Sequence, residues 1–281
     1  MQPISIVTDS TLDLPDHLLE MYEVHVVPLT ITLDNTSYTD RVDISAHEFL
    51  LKLKQSEDLP KTSQPAVGQF VSIYEELAKK GHQVLSIHMT GGMSGTVESA
   101  RTAASQVDAD VTVVDSLYTS SALGFQVLEA AKMAAENYSM ASIVTRLNEV
   151  RASTTLMIMV DTLEYLKKGG RIGRVKALIG SLLKRKPVAR LEEGTLSPIN
   201  SVRTHSQVMK QFMQTFEEET KGRVTRRIAI AHADAEALAQ TLKEKLLTVT
   251  SAEMFIVDTT AVVTAHTGPG ALALMYYTDQ E

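Results

Sequence analysis

The sequence predicts an α/β protein in two parts, a parallel-sheet unit followed by one whose strands pair through hairpins. Three observations predict it. Short apolar runs alternate with helical stretches through the first half, a repeat that lays parallel strands in one sheet with helices on both faces. A glycine-rich turn, Thr90-Gly91-Gly92-Met93-Ser94-Gly95-Thr96, joins one such strand to one such helix. Near Leu156 the alternation gives way to strand–turn–strand pairs, so a boundary is placed at 153–156 and the domains are 1–154 and 155–281.

In chain order, Ile4–Val7 is a short buried strand ending in the polar cluster Thr8-Asp9-Ser10-Thr11. Ligands of open α/β sheets collect beyond such strand ends, which makes Asp9 and Ser10 second candidates for a site; an Asx turn is the plainer reading. Asp13 and Pro15 open a helix. Val24–Leu29 is a strand, and Ile31–Leu33, Asp34-Asn35-Thr36 and Ser37-Tyr38 form a hairpin. Ser45 and Glu48 make a capping box. Thr62-Ser63-Gln64-Pro65 reads as a second hydroxyl-bearing helix start, ahead of Val67, Phe70, Val71, Tyr74 and Leu77 at helical spacing. Val84–Ile87 leads into the glycine-rich turn. Its glycines let a backbone approach a ligand, and free N–H groups at a helix start favour an anion. With the hydroxyls of Thr90, Ser94 and Thr96 beside them, the turn reads as a site for an anionic head group, a carboxylate first; a plain capped turn explains the loop alone equally well. Val111–Asp115 is a strand, and Ser120–Glu136 and Ala141–Ala152 are helices.

In the second half Leu156–Val160 is a strand. Asp161–Gly173 holds a short helix stopped by Gly169 and Gly170, and a further helix runs to about Leu183. Val188–Leu191 and Leu196–Val202 form a hairpin about Glu192-Glu193-Gly194-Thr195. A helix spans Ser206–Thr220, and Ile228–Ala231, Glu253–Val257 and Leu272–Tyr277 are strands. His266 follows a strand-like run, Ala261–Thr264, and is bracketed by Gly268-Pro269-Gly270. A lone histidine is usually a satisfied polar residue; one fixed in a tight turn between strands is better placed for a site.

Composition narrows the function. The 281 residues are 44% hydrophobic, which suits one or two domains with real cores. There is no cysteine, so disulfides, thiolate chemistry and cysteine-held metals are excluded. No metal site and no cofactor are expected. The start shows no charged-then-apolar leader, and no apolar run approaches the roughly 20 residues of a membrane span. A cytoplasmic protein is the expectation. A net charge of −7 argues against global nucleic-acid binding.

Taken together, the motifs resemble the DegV family of bacterial fatty-acid-binding proteins, the lipid-carrier subunits of the bacterial fatty acid kinase system. The matching pieces run in order along the whole chain: Ile6–Pro15, Val27-Pro28-Leu29, Thr62–Pro65, Met93-Ser94-Gly95-Thr96, Val114-Asp115-Ser116, Leu163–Ile172 and His266–Gly270. Thr90-Gly91-Gly92 departs from the family, which more often has serines and an aliphatic residue there. The resemblance implies an N-terminal α/β/α domain with a parallel sheet and a C-terminal two-layer α/β domain with a mixed sheet, the ligand lying between them. It implies that Thr62, Ser94 and His266 hold a long-chain fatty acid by its carboxylate, with Ser63, Gly95, Thr96 and Thr267 supporting the loops. Two hydroxyls and an imidazole are suitable donors for that anion. The tail needs an apolar tunnel, for which Leu29, Ile31, Met93, Met157 and Ile172 are candidates or else plain core; each buried methylene contributes ~0.8 kcal/mol.

From Lys167 to Arg190 there are nine basic residues and no acidic one: Lys167, Lys168, Arg171, Arg174, Lys176, Lys184, Arg185, Lys186 and Arg190. A solvated helix face is the bland explanation. Nucleic acid lacks a recognition motif here, and an acidic protein or a transient anionic membrane surface fits better. The resemblance implies docking on the kinase catalytic subunit through Arg171 and Arg203. On this reading the chain is a carrier and not an enzyme. It presents a fatty acid to an ATP-dependent kinase and then carries the acyl phosphate. A serine hydrolase using Ser94 and His266, with Asp9 or Asp115 as third member, is the alternative; Thr96 stands where a nucleophile elbow needs glycine. A phosphotransferase lacks a Walker lysine after the loop.

Overall fold

The computed structural model describes residues 2–181 and 185–280. From the N-terminus, β1 (Ile4–Asp9), α1 (Asp16–Met21) and β2 (His25–Val27) are followed by β3 (Thr30–Leu33), β4 (Thr36–Thr39), α2 (Ala46–Gln55), β5 (Lys61–Ser63) and α3 (Val67–Lys79). Next come β6 (Gln83–His88), α4 (Thr96–Ala104), β7 (Val111–Asp115), α5 (Ser120–Ala135) and α6 (Met140–Ser153). The second half comprises β8 (Thr154–Met159), α7 (Glu164–Lys168), a 3₁₀ segment Gly173–Ser181, β9 (Lys186–Glu192), β10 (Thr195–Val202) and α8 (His205–Thr220). It ends with β11 (Arg223–His232), α9 (Glu236–Leu246), β12 (Glu253–Asp258), α10 (Ala261–Thr267) and β13 (Leu272–Gln280).

Strands β2-β1-β6-β7 form a four-stranded, all-parallel sheet. Because side chains alternate across a strand, Val7 and Val84 pack with Phe70, Tyr74, Leu77 and Ala100 of α3 and α4, while Ile6, Leu85 and Ile87 pack with Leu123 and Val127 of α5. The second sheet, β10-β9-β8-β13-β11-β12, is mixed: β11 and β12 are parallel and the other neighbours antiparallel. The α/β class, the parallel sheet and the separate mixed sheet are as expected. A three-stranded antiparallel sheet, β4-β3-β5, adjoins them. Its hairpin turns at Asp34 and Asn35, both in the left-handed region that short hairpin loops need.

The two faces of the mixed sheet differ in side-chain size. Met157, Met159, Ile228, Ile230, Leu274 and Tyr276 face Phe212, Phe216 and Leu242 of α8 and α9. On the other face Leu156, Ile158 and the alanines 229, 231 and 273 look toward α5 and α6. Ala231 and Ala273 are opposite partners on β11 and β13. Helix α5 packs on strands of both large sheets. Asp13, after β1, accepts hydrogen bonds from the Ser120 hydroxyl, from Thr259 Oγ1 at 2.8 Å and from the Thr260 N–H at 2.8 Å.

Four expectations change. Thr62-Ser63 is not a helix start: it lies in β5, where Thr62 pairs with Ile31, and α3 is capped at Ala66, with the Gln69 side chain accepting from the Ala66 N–H. The run Ala261–Thr264 is helical, so His266 sits in the last turn of α10 and not in a turn between strands. The helix expected to reach Leu183 is the 3₁₀ segment ending at Ser181; residues 182–184, including Lys184, lie outside the described residues. Helix α9 is an element the sequence reading passed over, although Ala239, Leu242 and Leu246 are buried at helical spacing. Among the described residues no helix is long and apolar enough to cross a membrane.

Candidate functional site

A cavity of about 410 Å³ lies where the alanine face of the mixed sheet meets β5, the glycine-rich turn and α10. Its size falls in the usual range for small-molecule sites, roughly 300–1,000 Å³. Leu156 and Ile158 of β8, Leu191 and Leu196 of the β9–β10 hairpin, and Ala231, Ala233, Ala271 and Ala273 form much of its wall. Small residues here are the physical reason for the space. An Ile-Ala-Ile-Ala alternation along 228–231 fills the core on one face and withholds volume on the other. That alternation was the sequence signal for the cavity, and residue-by-residue motif reading passes over it.

Of the expected head-group residues, Thr62, Ser94 and His266 all line this cavity, as do Ser63 and Thr267. Thr62 Oγ1 is 2.7 Å from His266 Nε2. The contact forms because α10 lies across β3, β5 and α2. The His266 ring rests on Gly169, where a β-carbon would collide with Nδ1, and Gly268, at φ +72°, ends α10 where a β-carbon would strike the Tyr165 ring. The two glycine motifs flanking the site thus seat α7 against α10. His266 Nδ1 is buried without a hydrogen-bond partner among the described residues. Burial, and secondarily the positive charge of Arg171, hold the His266 pKa down to about 4, so the ring is neutral at pH 7.

Ser94 Oγ is 2.8 Å from Thr96 Oγ1 and accepts from the Thr96 N–H at 3.3 Å. Thr96 is fully buried and, like Gly95, supports Ser94 from outside the cavity. Gly95 is packed beneath Gln64, whose Nε2 donates to Ser99 Oγ at 2.9 Å. Two backbone N–H groups of the glycine-rich turn are engaged within the protein. The Gly91 N–H donates to Asp115 Oδ2 and the Gly92 N–H to Thr90 Oγ1, both at 3.1 Å, and neither glycine lines the cavity. Instead Gly92 abuts the β9–β10 turn: a β-carbon there would lie 2.5 Å from the Gly194 carbonyl oxygen, which accepts from Thr90 Oγ1 at 3.1 Å. Thr90 and Gly92 therefore form a packing surface for that hairpin.

Of the expected tail contacts, Leu29 and Met93 line the cavity. Ile31 and Met157 are fully buried elsewhere, Met157 because strand alternation turns it to the α8–α9 side, and Ile172 packs in the neighbouring core. Met89 and Thr11 are lining residues that the sequence reading missed. Both are held by Asp9, which accepts from the Met89 N–H at 2.9 Å and from Thr11 Oγ1 at 2.6 Å. Asp9 also meets His88 Nδ1 at 3.1 Å; His88 Nε2, Ser86 Oγ and Tyr74 OH continue the chain at 2.7 Å steps. Despite the burial that opposes ionisation, the His88 partner and these hydrogen bonds hold the Asp9 carboxyl below its ordinary range. The whole relay is buried, so its serine meets no substrate.

No hydrogen bond joins Ser94 to His266, and none joins His266 to a carboxylate, among the described residues. Asp115 is spent on the Gly91 and Leu117 N–H groups. The hydrolase constellation is not assembled. The basic segment is also less asymmetric in space than in sequence. Lys168 pairs with Glu164, Arg174 with Glu193, Lys186 with Asp161 and Arg190 with Glu219. Arg171 lines the cavity. Arg203 is exposed in the turn before α8, away from the cavity lining.

Fold and site together define an α/β protein with a parallel and a mixed sheet and a largely apolar cavity that has a cluster of hydroxyls, imidazole and guanidinium in its wall. The chain belongs to the DegV family: the model of that family, described as an uncharacterised protein family, matches residues 3–279. A DegV domain-containing protein of Staphylococcus aureus is 39% identical over 271 residues, covering 96% of this chain and 97% of its own. Two solved structures share the fold. One is a fatty-acid-binding DegV family protein from Thermus thermophilus, with TM-score 0.95, 34% identity and coverage of 99% of this chain and 100% of its own. The other is the fatty-acid-binding DegV of Bacillus subtilis, with TM-score 0.91, 33% identity and the same coverage.

Proposed function

We propose that this protein binds a long-chain fatty acid, with the carboxylate at Thr62, Ser94 and His266 and the tail in the alanine-walled cavity, and that it delivers the acid to a separate ATP-dependent kinase and carries the resulting acyl phosphate. The observation that carries the reading is the cavity itself: a largely apolar space bordered by the Thr62–His266 pair and Ser94. The fatty acids bound by the two structural relatives support it. Buried methylenes supply most of the affinity at ~0.8 kcal/mol each, and the head group supplies orientation. The carrier itself performs no chemistry. The kinase takes the γ-phosphoryl group of ATP onto the carboxylate, and docking on it falls to the exposed Arg203 with Arg171 at the cavity wall. The chain is a cytoplasmic carrier that collects its acid at an anionic membrane surface.

Mass spectrometry of the purified protein after organic extraction tests the first step. A stoichiometric long-chain acid is expected. No extracted acid, together with no uptake of palmitate or oleate, would sink the reading. The second step is tested with Arg203→Glu, which keeps its lipid and fails to yield acyl phosphate with a fatty acid kinase catalytic subunit and ATP. Normal turnover by that variant removes Arg203 from the docking surface.

A further inference from the structure

Away from the head group, the cavity wall is not uniformly apolar. Thr11, Thr119, Ser120 and Thr259 also line it, and they belong to one cluster. The Ser120 N–H donates to the Thr11 carbonyl at 2.9 Å, and the Ser120 and Thr259 hydroxyls both donate to Asp13 Oδ2. Thr259 lies at the N-terminal end of α10, whereas His266 is in the last turn. At 1.5 Å of rise per residue those two ends are about 9 Å apart, so the cluster meets a long acyl chain near its middle. Three of its hydroxyls have their protons committed: Thr11 Oγ1 donates to Asp9 Oδ1 at 2.6 Å, and Ser120 and Thr259 donate to Asp13. A hydroxyl has one proton and two lone pairs, so these three keep only acceptor capacity. Thr119 differs. It is the cap residue of α5, yet its side chain makes no capping bond, and its Oγ1 is buried with no hydrogen-bond partner among the described residues. A buried hydroxyl left in that state loses its hydration without return.

We propose that this cluster is a second polar subsite, which receives a hydroxyl group carried near the middle of the acyl chain, so that the protein's cargo includes hydroxylated long-chain acids. A methylene or a double bond offers Thr119 no hydrogen bond. A hydroxyl on the chain accepts from Thr119 Oγ1 and donates to a neighbouring hydroxyl oxygen, which matches the one free donor and the surplus of acceptors. A keto group, an acceptor only, uses Thr119 and leaves the other oxygens unanswered. The proposal rests on the fatty-acid reading and specifies its substrate class.

The test is a competition between stearate and stearate hydroxylated at its tenth carbon for the delipidated full-length protein, followed by native mass spectrometry. A hydroxyl buried without a partner weakens binding roughly five- to a hundredfold. The wild type is expected to hold the two acids within about threefold of each other, and a greater loss for the hydroxy acid overturns the proposal. In Thr119→Val, which removes the hydroxyl at similar volume, the ratio of hydroxy acid to stearate affinity falls about tenfold, and Thr119→Ser restores it. An unchanged ratio in Thr119→Val overturns the proposal, and so does an equal loss of both acids, which marks a structural role. Should Thr119→Val fail to fold, the wild-type comparison decides alone. Uptake of stearate with rejection of the hydroxy acid overturns this inference only; wild-type protein that takes up neither overturns the fatty-acid reading as well.

Discussion

Thr62 and His266 are separated by 204 positions in sequence and by 2.7 Å in space. No local signal announces that contact, and only family resemblance put the two residues in one list. Their effect is expected to be separable from folding. Ser94→Ala and Thr62→Ala each remove a donor from a bound anion, at about 1.5–3 kcal/mol for a charged hydrogen bond. Titration calorimetry with palmitate should show weaker binding by proteins that still fold; binding equal to wild type in both would place the carboxylate elsewhere. Asp40 offers a test of stability. Burial pushes its carboxyl from 3.8 up to about 7, against the lowering effect of the Ser10 hydroxyl, which donates at 2.7 Å. A raised carboxyl pKa means the folded state holds a proton that the unfolded state has released. Wild-type stability therefore falls as pH rises between those two values, by up to ~1.4 kcal/mol per unit, and levels off above. Asp40→Asn lacks this slope. Its stability relative to wild type, from urea denaturation, should climb from pH 4.5 to 7 and then stay level; a constant difference would refute the assignment.

Elements whose own periodicity decides their structure were legible in the sequence. Ser45 and Glu48 form the expected capping box of α2, and the apolar spacing of α3 matches its buried face. Elements decided by tertiary contact were not. The β-branched run Val262-Val263-Thr264 has strand character, yet the segment is helical because it packs against α2, α7, β3 and β5. Likewise Thr62-Ser63 has the residues of a helix cap and is recruited as an edge strand on β3. The glycine-rich turn was given a ligand role on composition; its Ser94 lines the cavity, while its Gly92 packs against the β9–β10 hairpin. Gly92→Ala should therefore destabilise the fold by about 1–3 kcal/mol, the usual cost of forcing atoms into a packed contact. Chemical denaturation checks this, and a loss of less than ~0.5 kcal/mol would show that the hairpin turn yields freely.

At the scale of the whole molecule, the division drawn near residue 154 separates the strands of the two large sheets more cleanly than it separates their cores. Helix α5 packs on β1 and β6 and also on β8, β11 and β13. Arg146 of α6 grips Asp279 near the C-terminus with two hydrogen bonds of 2.8 and 3.1 Å, and Asp13 reaches Thr259 and Thr260. Calorimetry of the full chain should accordingly give one cooperative transition. Two resolved transitions would mean that the halves hold themselves up independently.

The unequal faces of the mixed sheet carry a consequence for how such a protein diversifies. Ile228, Ile230 and Leu274 pack on helices, while Ala231 and Ala273 on the same strands line the cavity. A methyl group added on the alanine side subtracts room from the cargo and leaves the helix-packed core as it was. Ligand range and foldedness are thus written on opposite sides of one ribbon, and selection can edit the first without erasing the second.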